Sequence, residues 1–174
     1  GSRRRSWLYT AVGLISLAGL AACEPGPNTQ IRYEDAPMAS DRVNGVGWAT
    51  LIHGNRIYLG GSFSQVRNQA GTVVANKTNL AMFDKTTGSV VPSFTANADG
   101  TVLTMATNGN TLFIGGEFGR VNGVARSRFA AIDMMTGAVL PDWRADTSGS
   151  VYSIAVANGR VFVGGAFTTV NGVA

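Results

Sequence analysis

The feature that most restricts what this chain can fold into is a repeat. The stretches "YLGGSFSQV", "FIGGEFGRVNGV" and "FVGGAFTTVNGV" carry glycine pairs at Gly60-Gly61, Gly115-Gly116 and Gly164-Gly165, with spacings of 55 and 49 residues. A second set of markers gives the period. Asp84 and Asp133, Gly88 and Gly137, and Phe94 and Trp143 are each 49 apart. The six extra residues of the first copy therefore fall between Phe63 and Asp84, in the polar stretch "SQVRNQAGTVVANKTN", which reads as an enlarged surface loop. A fixed period of this length means one supersecondary unit built several times.

Each period holds four short apolar runs separated by turn residues. In the second copy these are "VLTMAT", "TLFIGG", "RFAAID" and "VLPDW". β-branched and aromatic residues dominate them, and Gly, Asn or Asp ends them, as expected of strands. Asn158-Gly159 between "VYSIAVA" and "RVFVGG" is a strong hairpin signal, because both residues tolerate positive φ. The expected unit is a four-stranded antiparallel sheet. In "VYSIAVA" large and small apolar residues alternate where a half-solvated sheet would alternate apolar with charged, so both faces are expected to be buried. Sheets buried on both faces and repeated in series stack on one another, which predicts an all-β, β-propeller-like fold. About two and a half blades are expected, over 44–99, 100–148 and 149–174, with the chain a piece of a longer reading frame. The glycine pairs are expected to admit close backbone approach. Phe63, Phe118, Phe167 and Val66, Val121, Val170 are expected to pin the following loops to the core.

The N-terminus departs from this pattern. Three arginines precede an uncharged apolar run from Trp7 to Ala22, then small residues and Cys23, which reads as a secretory signal over 1–22. Leu20-Ala21-Ala22-Cys23 resembles the lipobox of bacterial lipoproteins. That resemblance implies lipidation of Cys23, the single cysteine, and a membrane-anchored place in the bacterial cell envelope, outside the cytoplasm. Arg4-Arg5 with Trp7-Leu8 also resembles a twin-arginine export motif. Residues 23–43, rich in proline and mixed charge, read as a tether. Removing Arg3, Arg4 and Arg5 leaves eleven of fourteen Lys/Arg against ten Asp/Glu, so the exported part is nearly neutral. With no aromatic stripe beside Arg120, Arg126 and Arg128, these read as a solvated rim, and no nucleic-acid partner is expected.

Taken together, "NRIYLGGSFSQV", "LAMFDKTTGSVVPSF", "NTLFIGGEFGRVNGVARSRFAAIDMMTGAVLPDW" and "VYSIAVANGRVFVGGAFTTVNG" resemble the delta-60 repeat β-propeller proteins of exported actinobacterial type, from Asn44 to Ala174. The resemblance implies an exported repeat domain and carries no catalytic residues with it. The glycine-ended strands are similar to kelch repeats. "IDMMTGAVLPDW" is similar to the repeats of quinoprotein dehydrogenases, without their cofactor-binding residues.

Residue types that carry chemistry are sparse. His53 is the one histidine and reads as a turn residue. Asp84 and Asp133 are a conceivable glycosidase pair, but their equivalence in the repeat favours a role accepting backbone hydrogen bonds in the Thr-Gly turns. No catalytic residue, cofactor or metal site is assigned. The oxygen-rich segments "NADG" (97–100) and "ADTSG" (145–149) leave calcium open. Asn76-Lys77-Thr78 fits a glycosylation sequon, without consequence in a bacterial lipoprotein. The leading reading is a binding or scaffold module that recognises a polysaccharide or surface protein through the enlarged loop, with Arg67, Asn68, Gln69, Asn76 and Lys77 as contact residues. The alternative is an exported enzyme, quinoprotein-like or carbohydrate-active, with its site completed by further repeats.

Overall fold

The computed structural model describes residues 40–174, so the signal segment, Cys23 and residues 24–39 of the tether lie outside the described residues. The described part is all-β. In chain order its strands are β1 (Arg42–Val43), β2 (Val46–His53), β3 (Arg56–Ser62), β4 (Gln65–Arg67), β5 (Val73–Asn76), β6 (Leu80–Asp84) and β7 (Val102–Thr107). They continue with β8 (Thr111–Gly116), β9 (Arg120–Val121), β10 (Val124–Ala125), β11 (Phe129–Asp133), β12 (Val151–Ala157) and β13 (Arg160–Gly165).

Three larger antiparallel sheets follow the repeat, and none is closed. The first has the order β2-β3-β6, the second β7-β8-β11, and the third consists of β12 and β13. Local sequence explains the tight hairpins. Ala157 pairs with Arg160 across Asn158 and Gly159, whose φ angles of 51° and 71° suit a two-residue turn that matches strand twist.

The fourth apolar run of the first two copies is not a strand. Val90 and Val139 make only single bridges, to Phe83 and Ile132. Pro92 and Pro141 follow two residues later, and a ring nitrogen cannot donate to a ladder. The expected four-stranded unit is therefore a three-stranded sheet with a bridged extension in the first two copies. The tether boundary also shifts. Asp41 donates its N–H to the Gly88 carbonyl at 3.0 Å, and β1 pairs with β4, so the fold includes residues assigned to the tether. Val43 on β1 corresponds to Ala98 and Thr147 in the later copies, each of which bridges the equivalent valine, Val121 or Val170.

The sheets stack face to face. Between the first and second lie Tyr58, Leu80, Met82, Leu112, Ile114, Ala130 and Ile132, with Phe94 wedged edge-on against Tyr58 at 5.7 Å between ring centroids. Between the second and third lie Phe113, Phe129, Ala131 and Val151, packed by Ile154, Val161 and Val163. There Trp143 repeats the edge-on contact, 5.0 Å from Phe113. A smaller cluster of Phe63, Val66, Ala81, Phe83 and Val90, packed by Val43 and Ala75, lies where β1, β4 and β5 cover part of the outward side of the first sheet.

The glycine pairs have two separate jobs. A Cβ on Gly60 would stand 2.6 Å from Val102 Cγ1, and one on Gly115 2.5 Å from Val151 Cγ1, so the first glycine of these two pairs admits a valine of the next sheet. A Cβ on Gly61, Gly116 or Gly165 would collide with the carbonyl of Val46, Thr101 or Ser150, so the second glycine lets the neighbouring strand close within its own sheet.

Candidate functional site

The extra residues of the first copy build a hairpin instead of an irregular loop. In the second copy Val121 and Val124 are joined by the tight turn Asn122-Gly123. In the first, Val66 pairs with Ala75 and Arg67 with Val73, and the chain turns through Asn68–Thr72. The Asn68 amide oxygen accepts the Thr72 N–H at 2.9 Å, and the Asn68 carbonyl accepts the Gly71 N–H at 3.0 Å. These bonds hold the tip in one conformation. Sequence reasoning missed these strands because the β-branched run "TVV" is short and sits beside glycine.

The hairpin tip borders an open groove of about 410 Å³ lined by Ser40, Asp41, Asn68, Gln69, Ala70, Thr87 and Ser89. Its walls offer hydroxyls, primary amides and one carboxylate. Asp41 is oriented by the Val90 N–H, which donates to Oδ2 at 2.8 Å. Thr87 is held in the Asp84 turn, its N–H donating to Oδ1 at 3.0 Å. This supplies both donors and acceptors on a rigid frame, with no nucleophile set against a base.

The expected contact residues separate into two groups. Asn68 and Gln69 line the groove, and Asn76 is exposed on β5. Arg67 is half-buried and braces the hairpin, its Nη2 donating to Gln65 Oε1 at 2.9 Å. Lys77 does not belong to a contact surface. It is 6% exposed, and its ammonium donates to the Phe94 carbonyl. It lies one period before Arg126, itself buried, with Nη2 donating to the Leu140 carbonyl at 3.2 Å. Both are structural cations of the repeat, and burial lowers the Lys77 pKa. Arg126 therefore leaves the expected solvated rim, and Arg128 donates to the Thr147 carbonyl at 3.2 Å.

The repeat-equivalent carboxylates are turn residues. Asp133 Oδ1 accepts the Thr136 N–H at 2.7 Å, the Thr136 hydroxyl at 2.8 Å and the Met135 N–H at 3.0 Å. Asp84 Oδ1 accepts the N–H groups of Thr86 and Thr87, and its Oδ2 meets Arg56 at 2.5 Å. The N–H of Thr87 on Asp84, and that of Thr136 on Asp133, lead the interactions that lower the two pKa values. His53 ends β2 and is exposed.

A third set of equivalents was hidden because the residue type changes. Asn44 Oδ1, Asp99 Oδ1 and Ser148 Oγ occupy one place in the register, and each accepts two consecutive N–H groups after the glycine-pair strand. These come from Ser64 and Gln65, Gly119 and Arg120, and Thr168 and Thr169, at 2.7–3.1 Å. Only an acceptor oxygen is required, so amide, carboxylate and hydroxyl serve alike.

The oxygen-rich segments considered for calcium are committed to protein donors. Asn97 Oδ1 accepts the Thr78 N–H at 2.8 Å. Asp146 holds the Ser127 N–H on one oxygen and Arg144 on the other, both at 2.8 Å. Among the described residues no three His, Cys, Asp or Glu side chains are grouped to hold a metal.

No protein-family model matches the chain, and no curated protein matches it. Among solved structures it is similar to the computationally designed Ika4 protein, at 14% identity and a TM-score of 0.43, over 80% of this chain and 97% of that one.

Proposed function

We propose that this chain is an exported surface lipoprotein, anchored through Cys23, whose sheets are blades of a β-propeller of the delta-60 repeat type and whose groove beside β4 and β5 binds polysaccharide. The observation that carries the reading is the break in repeat symmetry. The hairpin, lengthened in the first copy alone, lines the 410 Å³ groove, and its tip is preorganised by hydrogen bonds to Asn68. Loops held on a rigid sheet scaffold are where recognition groups are usually placed. Neutral hydroxyl and amide groups suit the vicinal hydroxyls of sugars, and a nearly neutral exported part fits a partner of low charge.

The test is co-sedimentation of the full chain with insoluble cellulose, chitin and peptidoglycan. The double variant Gln69→Ala, Ser89→Ala removes two groove side chains that make no hydrogen bond holding the fold. It should cut retention about tenfold or more at an unchanged melting temperature. Full retention by that variant, or none by the wild type, would overturn the binding assignment. Labelling with an alkyne palmitate analogue tests the anchor separately. Cys23→Ser should abolish the label, and a label that survives the substitution rules the anchor out.

A further inference from the structure

The chain holds five Asn-Gly pairs, beginning at Asn44, Asn108, Asn122, Asn158 and Asn171. In such a pair the side-chain amide is open to attack by the next backbone nitrogen, because glycine has no Cβ to crowd that nitrogen. The attack needs an asparagine side chain free to turn and a glycine N–H free of other partners. The pairs differ in both respects.

All but Asn158 are held in place. Asn44 Oδ1 accepts the Ser64 and Gln65 N–H groups at 2.9 Å, and its Nδ2 donates to Ser64 Oγ at 3.0 Å. Asn122 Oδ1 accepts the Asn97 N–H at 2.9 Å while its Nδ2 donates to the Gly137 carbonyl at 3.0 Å. Asn171 is held in the same way one period later, by the Asp146 N–H and the Arg144 carbonyl. Asn108 Oδ1 accepts the Thr111 N–H at 2.9 Å, and the nitrogen that would attack it, that of Gly109, donates to Thr107 Oγ1 at 2.8 Å.

Asn158 is exposed at the tip of the β12-β13 hairpin, and among the described residues neither its side chain nor the Gly159 N–H makes a hydrogen bond. The openness belongs to the position in the repeat. Gly54 and Gly109 are its equivalents, and a Cβ on either would meet nothing within 4 Å, although the third strand of the sheet is present in both of those copies. The residue that follows that strand reaches the second turn residue instead, Lys85 donating to the Asn55 carbonyl at 3.0 Å and Met134 to the Asn110 carbonyl at 3.1 Å.

We propose that Asn158 is a site of spontaneous deamidation, singled out by the fold from the five Asn-Gly pairs. The Gly159 nitrogen bonds to Asn158 Cγ, the Cγ–Nδ2 bond breaks, and the Gly159 proton leaves with Nδ2 as ammonia. Water then opens the cyclic imide. Cleavage at Cγ leaves aspartate, and cleavage at the backbone carbonyl leaves isoaspartate. The balance is water taken up and ammonia released, with no electron transferred. Isoaspartate adds a methylene to the main chain of a two-residue turn whose length sets the pairing of Ala157 with Arg160, so this product opens the end of the hairpin. Aspartate tolerates positive φ and keeps the turn. This inference does not rest on the polysaccharide reading.

The experiment is incubation of the folded full chain in mild detergent at mildly alkaline pH, with a parallel sample in urea, followed by peptide mass spectrometry and enzymatic methylation of isoaspartate. In urea all five asparagines should convert at similar rates. In the folded chain Asn158 should convert at nearly its unfolded rate and at least about tenfold faster than any other, because reaction at a hydrogen-bonded turn waits on its opening. Asn158→Gly restores the residue type of the other copies and should abolish the fast isoaspartate signal at an unchanged melting temperature. A folded chain in which Asn158 converts no faster than the guarded asparagines, or a fast signal that survives Asn158→Gly, would overturn the proposal.

Discussion

The second and third sheets are built on the same repeat pattern, with three strands described in the second and two in the third, and have different surroundings. In the second, every residue of β8 is buried, because the first sheet covers one side and the third covers the other. In the third, β13 alternates between exposed and half-buried from Arg160 to Val163, because only the side facing the second sheet is covered. Phe113 is fully buried, and its equivalent Phe162 is 55% exposed. The difference teaches that the repeat specifies which side chains share a face, while the neighbouring sheet decides whether that face leaves water.

Substitutions at paired positions should expose the contrast most clearly in the aromatic residues. Phe113→Ala should cost about 3–5 kcal/mol, as truncation of a buried ring does, whereas Phe162→Ala should cost less than about 1 kcal/mol. Urea unfolding of both variants reads this directly. Equal losses would show that the third sheet is as enclosed as the second.

The glycine notch sharpens the same comparison at a smaller scale. Gly115→Val forces a side chain against Val151 and should cost about 1–3 kcal/mol. Gly164→Val meets only the Ser153 side chain and should shift the melting temperature little. A large loss at Gly164 would mean that strand geometry, and not the adjoining sheet, requires the glycine.

The smallest effect concerns the turn that ends β11. Hydrogen bonds to Asp133, led by the Thr136 N–H, lower its folded-state pKa below the ordinary 3.8. A carboxylate whose pKa is depressed on folding contributes stability above its unfolded value, and that contribution is lost as pH falls through the folded one. Asp133→Asn should therefore cost about 1 kcal/mol or less near neutral pH and flatten the acid limb of the stability profile below pH ~3.8. An unchanged acid limb in the variant would remove Asp133 from the account, leaving Asp84 as the comparison.

Much of the fold was legible because it depends on short-range chemistry. The period, the Asn158-Gly159 hairpin and the strands from Val102 to Gly116 follow from alternation and turn residues. The fourth run was misread because Val90 and Val139 have strand propensity, while the restriction comes from the prolines beyond them. The site was less legible. Lys77 reads as a contact residue of the enlarged loop until the repeat register aligns it with the buried Arg126, and Asn44, Asp99 and Ser148 share a role that residue identity conceals.

By itself the sequence determined the all-β class, the 49-residue unit and the place where symmetry breaks, since alternation, turn propensity and spacing are properties of neighbours along the chain. Only the tertiary structure decided that the insertion is a hairpin bordering a groove, that Lys77 is buried while Gln69 is exposed, and that each first glycine of the two internal joints makes room for a valine about 40 residues further on. The reason is physical: burial and hydrogen-bond partners at such separations depend on which sheets meet, and that is a property of the packed molecule.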